Sequence, residues 1–376
     1  MSKVTVRKPG VDLAKALAAW GMGCPPASGR TDRVGEIYVM LTWRCNLRCR
    51  MCPMWGDRGF CRARRLAKER LTLERLAAFI DGAAPFRPRT VTLSGGEPLL
   101  SPLCMPLARR LAEKGLRVML TTNATLLREL TPGDIAAFEQ INVSLDGPPL
   151  VLEKIGRGGG KTFSRAVEGI RRVMAGRKAG RPLLQLITVI SAPGVGRLVE
   201  MLERFGAEGI AFDSLLFQHR MFLSAAAARL QKRALAKVLG GARDPGIWDA
   251  LVARGGGVDT TALERELEAI RRRFPSAVVS PRLGGAETTA WYRSGSWTPE
   301  GLGGNCLSPW FDVGITPGGD LWMCPGFAAG SIFDAGFEDL WNGERAAAVR
   351  RAVAAGGLMP GCRACFYLSN YREPRR

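Results

Sequence analysis

Between about residues 36 and 222, short apolar runs alternate with stretches of helical periodicity, and the alternation repeats six times. "EIYVMLTW", "RTVTLSGG", "LRVMLTTN", "INVSLDG", "LLQLITVIS" and "IAFDSLLFQ" read as strands. "TLERLAAFIDGA", with Thr72 as N-cap, "PLARRLAEKG", stopped by Gly115, "LREL" with "DIAAFE", "FSRAVEGIRRVMAG" and "VGRLVEMLERFGAEG" read as helices. Strands this apolar need cover on both faces, and helices between them supply it. The pattern therefore predicts a parallel sheet. A doubly wound sheet and an incomplete barrel both satisfy it, and both place function in the loops after the strands' C-terminal ends. The polar signatures lie there: a cysteine loop after strand one, "SGGEP" after two, "TTNAT" after three and "SLDGPP" after four.

The rest of the chain divides into an N-terminal extension (1–36), a helical bridging region (223–302) and a compact C-terminal segment with four cysteines (303–376). The extension reads as a short helix lying on the domain. Asp12 and Lys15 interrupt its apolar run, and no small-residue cleavage site follows. No apolar run approaches the ~20 residues of a membrane-spanning helix.

Ten cysteines without a secretory signal point to a reducing, cytoplasmic compartment, where grouped cysteines bind metal. The single histidine, His219, excludes Cys2His2 fingers, His-based catalytic zinc and two-His iron sites. It lies at the end of strand six, on the rim, as a candidate acid–base group or a hydrogen-bonding rim histidine. The net charge of +20 is spread over many helices and is not interleaved with aromatics. It keeps an anionic substrate open and does not favour a nucleic-acid platform.

"WRCNLRCRMCPMW" holds Cys45, Cys49 and Cys52 at C-x3-C-x2-C spacing in a loop rich in arginine. Structural zinc wants four ligands. Three thiolates instead hold three irons of a [4Fe–4S] cube and leave the fourth iron open to a non-protein ligand. A second set, Cys306, Cys324, Cys362 and Cys365, supplies four ligands for an auxiliary cluster or for zinc. Cys24, Cys61 and Cys104 read as packing residues. "GRGGGKT" has Ile155 where a phosphate loop needs glycine, and reads as a rim loop.

The three-cysteine loop after strand one resembles the signature of the radical S-adenosylmethionine (radical SAM) enzymes. The resemblance implies a partial (β/α)6 TIM-type barrel, a helical bridge and a small cysteine-rich α+β auxiliary domain. It also implies a SAM-binding [4Fe–4S] cluster on Cys45, Cys49 and Cys52, reductive cleavage of SAM to a 5′-deoxyadenosyl radical, and hydrogen abstraction from a substrate. "SGGEP" resembles the family's second motif, so Gly95, Gly96 and Glu97 are carried over as contacts to the SAM amino group. "NVSLDG" resembles the fourth-strand motif, which carries over Ser144 and Asp146. Asn123 faces the same rim, Arg157 takes the place of an arginine on the SAM carboxylate, and Val189 and Ile190 stand near the adenine. Met51 occupies a position where the family often has an aromatic. "GGDLWMCP" before Cys324 resembles the SPASM and twitch auxiliary domains, implying a second, fully ligated [4Fe–4S] cluster.

The resemblance further implies flavodoxin or ferredoxin as electron donor. Peptide-modifying members often carry a leader-binding domain ahead of the barrel, and about 36 residues precede strand one here. That favours a small-molecule substrate of sugar, cyclitol or lipid type. A peptide presented by a separate protein is the alternative. The contrasting class, a zinc-bearing nucleic-acid-binding protein, leaves the three-ligand loop unexplained.

Overall fold

The computed structural model describes residues 13–62, 68–239, 246–253, 257–295, 306–365 and 367. Six parallel strands follow one another in space as in sequence: β1 (Glu36–Met40), β2 (Thr90–Ser94), β3 (Val118–Thr122), β4 (Gln140–Ser144), β5 (Leu183–Ile190) and β6 (Ser214–His219). All six lie where the sequence pattern puts them. The helix Leu73–Asp81 is capped by Thr72, whose hydroxyl accepts from the Arg75 amide at 3.2 Å.

The sheet extends beyond those six. β7 (Val278–Ser280), from the bridging region, pairs parallel with β6. On the other edge β8 (Asp312–Ile315) pairs parallel with β1. It is followed by antiparallel β9 (Asp320–Cys324) and β10 (Phe327–Ser331). The C-terminal cysteine-bearing segment is thus bonded into the same ten-stranded sheet as the barrel.

Alternation along each strand sorts two faces. Ile37 and Val39, Val91 and Leu93, Ile141 and Val143, and Leu184 and Leu186 are buried in the apolar core. The register puts Glu36, Tyr38, Thr92, Ser94, Thr121, Asn142, Ser144, Gln185 and Gln218 together on the opposite face. These polar residues share the concave side of the partial barrel with Met40, Met119, Ile187 and Leu216, and bond to one another. Tyr38 Oη donates to Ser94 Oγ at 2.5 Å, Asn142 Nδ2 to Thr121 Oγ1 at 3.1 Å and Gln185 Nε2 to Ser214 Oγ at 3.0 Å.

The N-terminal extension packs on the C-terminal segment. Its helix Leu13–Ala19 leads to Trp20, whose ring lies 6.2 Å from that of Phe311. The fully buried Arg350 is the staple between the two. It donates to the carbonyls of Pro309 (2.8 Å) and Gly29 (3.0 Å) and to Asn342 Oδ1 (3.3 Å), and lies 4.2 Å over the Trp341 ring. Burial and the charge of Arg30 pull its pKa down. Arg350→Met would strand those acceptors at a cost of about 3 kcal/mol. The checks are a lower urea midpoint and earlier proteolytic cleavage around Pro26–Gly29. An unchanged midpoint would mean that the acceptors find other donors.

Candidate active site

β1 runs directly into the loop carrying Cys45, Cys49 and Cys52. The loop is tied from several sides. Glu69 Oε1 accepts from the Trp43 amide and the Thr42 hydroxyl, both at 2.7 Å, and Trp55 Nε1 donates to the Trp43 carbonyl at 2.6 Å. The Arg50 amide donates to the Ile155 carbonyl at 2.9 Å. The three thiols are free, half-buried and within one another's electrostatic reach. Burial pushes Cys49 up to about 11, against the pull of Arg157, and also raises Cys45. Thiols held this way release their protons when cations bind to them. Among the described residues no three His, Cys, Asp or Glu side chains are gathered for a single ion. Three coupled thiols on one polar loop fit three corners of a larger, multi-iron group.

The glycines of "SGGEP" let their backbone pack directly on the cysteine loop. A Cβ on Gly96 would meet the Arg44 carbonyl oxygen and lie 2.6 Å from its carbon. One on Gly95, at φ +139°, would lie 2.6 Å from the Thr42 carbonyl oxygen. The Gly96 and Glu97 amides donate to the Thr42 and Arg44 carbonyls, both at 2.8 Å. Glu97 is wholly buried and its carboxylate is spent on the protein. It accepts from Thr122 Oγ1 (2.7 Å), the Asn123 amide (2.8 Å) and the Leu99 amide (3.2 Å). "GGE" thereby fixes the height of the cysteine loop above the sheet. Gly96→Ala would push that loop away, and the expected result is at least a tenfold drop in iron retained by the three-cysteine site, read by iron analysis and EPR. Full retention would show that the contact yields without cost.

Asn123 continues the same support. Its Nδ2 donates to Asn46 Oδ1 at 2.8 Å and stands 4.0 Å from Cys45 Sγ, and Asn46 donates to Thr125 Oγ1 at 2.9 Å. At the end of β4, Arg157 is ion-paired to Asp146 and also donates to the Ser144 carbonyl. The other Asp146 oxygen accepts from the Val189 amide at 2.8 Å. Arg157 lies in the field of Cys49 and Cys45, and its buried Nε has no protein partner. This leaves Nε as its one uncommitted donor, while both Nη groups are engaged.

Two expectations change. Register puts Val189 on the lumen side and buried Ile190 among the helix-facing residues, so of the two only Val189 faces the lumen. His219 pairs in register with Ile190 and is likewise buried behind the sheet, with Nδ1 3.0 Å from Tyr292 Oη. It is a packing residue of β6 and not a lumen acid–base group. Met51 lies half-buried within the cysteine loop.

Burial pulls the pKa of His219 down to about 4, with Arg271 adding to the shift. The sign follows from proton uptake. Above the ordinary value of about 6.5 the neutral ring is stable in place in the folded chain. As pH falls from there through about 4 the unfolded chain takes up the proton first, and stability falls by about 3 kcal/mol. Thermal midpoints should therefore drop more steeply over that window in the wild type than in His219→Gln. Equal slopes would show that the histidine is accessible.

The second cysteine set lies at the other end of the lumen. Trp322 of β9 pairs with Gly314 of β8, so Cys324 comes level with Asp312, which pairs with Glu36 at the start of β1. Cys306 and Cys324 feel one another, Cys362 and Cys365, and also Asp312. Burial raises both well above the ordinary thiol value, and pushes Cys362 up to about 11. Tyr367 lies in the field of Tyr38, Glu36, Cys365 and Asp312. From Glu36 to Met40 the sheet rises by roughly 13 Å, so the two cysteine sets bracket the polar lumen from below and above.

Residues 39–204 match the model of the radical SAM superfamily, and residues 306–366 match an iron–sulfur cluster-binding domain, SPASM. Residues 39–204 thus form a radical SAM domain and residues 306–366 a SPASM domain. An AdoMet-dependent heme synthase of Methanosarcina barkeri is 34% identical over 168 residues, which is 43% of this chain and 44% of that protein. A probable GTP 3′,8-cyclase of Thermococcus kodakarensis is 30% identical over 182 residues, 46% of this chain and 54% of that one. The chain spans about half the length of these curated relatives. Among solved structures, SuiB of Streptococcus suis bound to its precursor peptide SuiA superposes with a TM-score of 0.59 at 14% identity, covering 90% of this chain and 70% of SuiB. That likeness concerns the fold alone.

In this chain the cofactors that the two domains imply are a SAM-binding [4Fe–4S] cluster with SAM, and an auxiliary iron–sulfur cluster. No described helix is long and apolar enough to cross a membrane. Sequence reasoning missed the lumen-facing set Glu36, Tyr38 and Asp312. The signal was present as polar residues at alternate positions of "EIYVM", hidden by reading that run as uniformly buried.

Proposed function

We propose that this chain is a radical SAM enzyme that takes a hydrogen atom from a polar small molecule of sugar, cyclitol or lipid-precursor type, and completes a two-electron oxidation or a rearrangement. The observation that carries this reading is a polar lumen with a three-thiol set at one end and a four-thiol set at the other. When bound, the open-iron cluster and SAM supply a carbon-centred radical at the upper end. The chain's own residues do the rest. "GGE" and Asn123 hold the cysteine loop at a fixed height, and Arg157 offers its free Nε beside it. The hydroxyl and amide groups of Tyr38, Ser94, Thr121, Asn142 and Gln185 suit a hydrogen-bonding substrate. Cys306, Cys324, Cys362 and Cys365 would hold the auxiliary iron–sulfur cluster, which when bound would supply the acceptor for the second electron of an oxidation, while Glu36 or water would take the proton.

A cytoplasmic site with flavodoxin or ferredoxin as donor accords with a chain of ten cysteines. The second reading, a peptide substrate presented by a separate protein, is favoured by the fold likeness to the peptide-bound SuiB. Anaerobic purification with iron, sulfide and zinc analysis tests the reading. About eight irons per chain support it. Colourless protein without iron or sulfide after reconstitution refutes it.

A further inference from the structure

Arg220 follows the last residue of β6, at the position that continues Ser214, Leu216 and Gln218 towards the lumen. Its backbone is clamped: Trp291 Nε1 donates to its carbonyl at 3.0 Å, and its amide donates to the Tyr292 hydroxyl. The side chain is half-buried, and its Nε is sealed from water without a hydrogen-bond partner. The buried Arg157 and the half-buried Arg177 are ion-paired to Asp146 and Asp213. The acidic group that Arg220 feels is Asp57 of the cysteine loop, which lies beyond ion-pair distance. Sealing one nitrogen of a guanidinium from water without a partner is costly. Its planar fork matches the two oxygens of a carboxylate or phosphate.

We infer that Arg220 anchors an oxyanion of the substrate, a carboxylate or a phosphate, at the mouth of the lumen. This rests on the reading of the lumen as the substrate site. The anion is the substrate's and not that of SAM, because a ligand of the open iron sits beside Cys45 and Cys49. Arg157 stands in the field of those two thiols, whereas Arg220 stands in that of Asp57 and Tyr292.

The test uses the full chain with its clusters, kept anaerobic and titrated separately with inorganic phosphate, acetate and SAM at constant ionic strength in chloride. Binding is read by the thermal midpoint. The expected result is a saturable rise with phosphate or acetate that Arg220→Met weakens at least tenfold and Arg220→Lys weakens less, with SAM binding changed less than threefold. A wild type that responds no more to these anions than to chloride overturns the inference, as does an Arg220→Met response equal to the wild type's. Loss of SAM binding with anion binding intact assigns Arg220 to SAM and overturns it too. Should Arg220→Met not fold, Arg220→Gln carries the same comparison. Iron and sulfide content report separately on the radical SAM reading.

Discussion

Cys49→Ala is expected to reduce 5′-deoxyadenosine formation from SAM to less than ~1% of the wild-type rate and to remove about four irons per chain, leaving the auxiliary set loaded. Cys49 lies at the centre of the triad, coupled to both Cys52 and Cys45. With a methyl group in its place, two thiols remain for three irons, and the exposed cluster is lost. The control is Cys61→Ala. Cys61 is buried in the same loop and lies in the field of Cys52 and Cys45, and burial pushes it up to about 12. Its amide is bonded to the Met54 carbonyl at 3.0 Å, and it reads as packing. The Cys61→Ala chain should keep its full iron content. Iron loss there equal to that of Cys49→Ala would make Cys61 a ligand and end the open-iron reading. Retained 5′-deoxyadenosine formation in Cys49→Ala would refute the assignment of the loop.

The strands that built the barrel were legible because each is a run of five to eight residues with apolar alternation and a helix behind it. β7 was not, being only three residues of an unremarkable "VVS". The join of β8 to β1 was also hidden, since no local pattern reports a pairing between residues 36 and 312. At the site, residue types were readable and their directions were not. Val189 and Ile190 are equally apolar, and only the register says which one faces the lumen. Glycine was recognised as permitting a close approach, but the neighbour turned out to be the cysteine loop's own backbone. His219 sat on the correct strand and on the wrong face of it. Arg220 gave no signal, because in the sequence it is one of many dispersed arginines.

Asp146→Asn is expected to cost about 3–5 kcal/mol, because it leaves Arg157 buried beside a neutral amide. Both partners are under a tenth exposed, and the carboxylate divides its oxygens between Arg157 and the Val189 amide. The single change therefore uncouples the end of β4 from β5 at the rim. Arg157→Met should be similarly damaging, since it leaves Asp146 charged without a counter-ion. The double variant Asp146→Asn with Arg157→Met removes both charges and should recover most of the loss, because an uncharged pair avoids the desolvation penalty. Thermal midpoints of all four proteins complete the cycle, and strictly additive losses would show that the pair is not coupled. The cluster offers a second reading with opposite signs. Arg157 is the positive charge in the field of Cys49 and Cys45, with Asp146 partly offsetting it. Arg157→Met should make the upper cluster harder to reduce and Asp146→Asn should make it easier, with the double variant near the wild type. Potentiometric EPR titration separates these outcomes. A common direction of shift in the two single variants would mean that rim distortion, not charge, governs the potential.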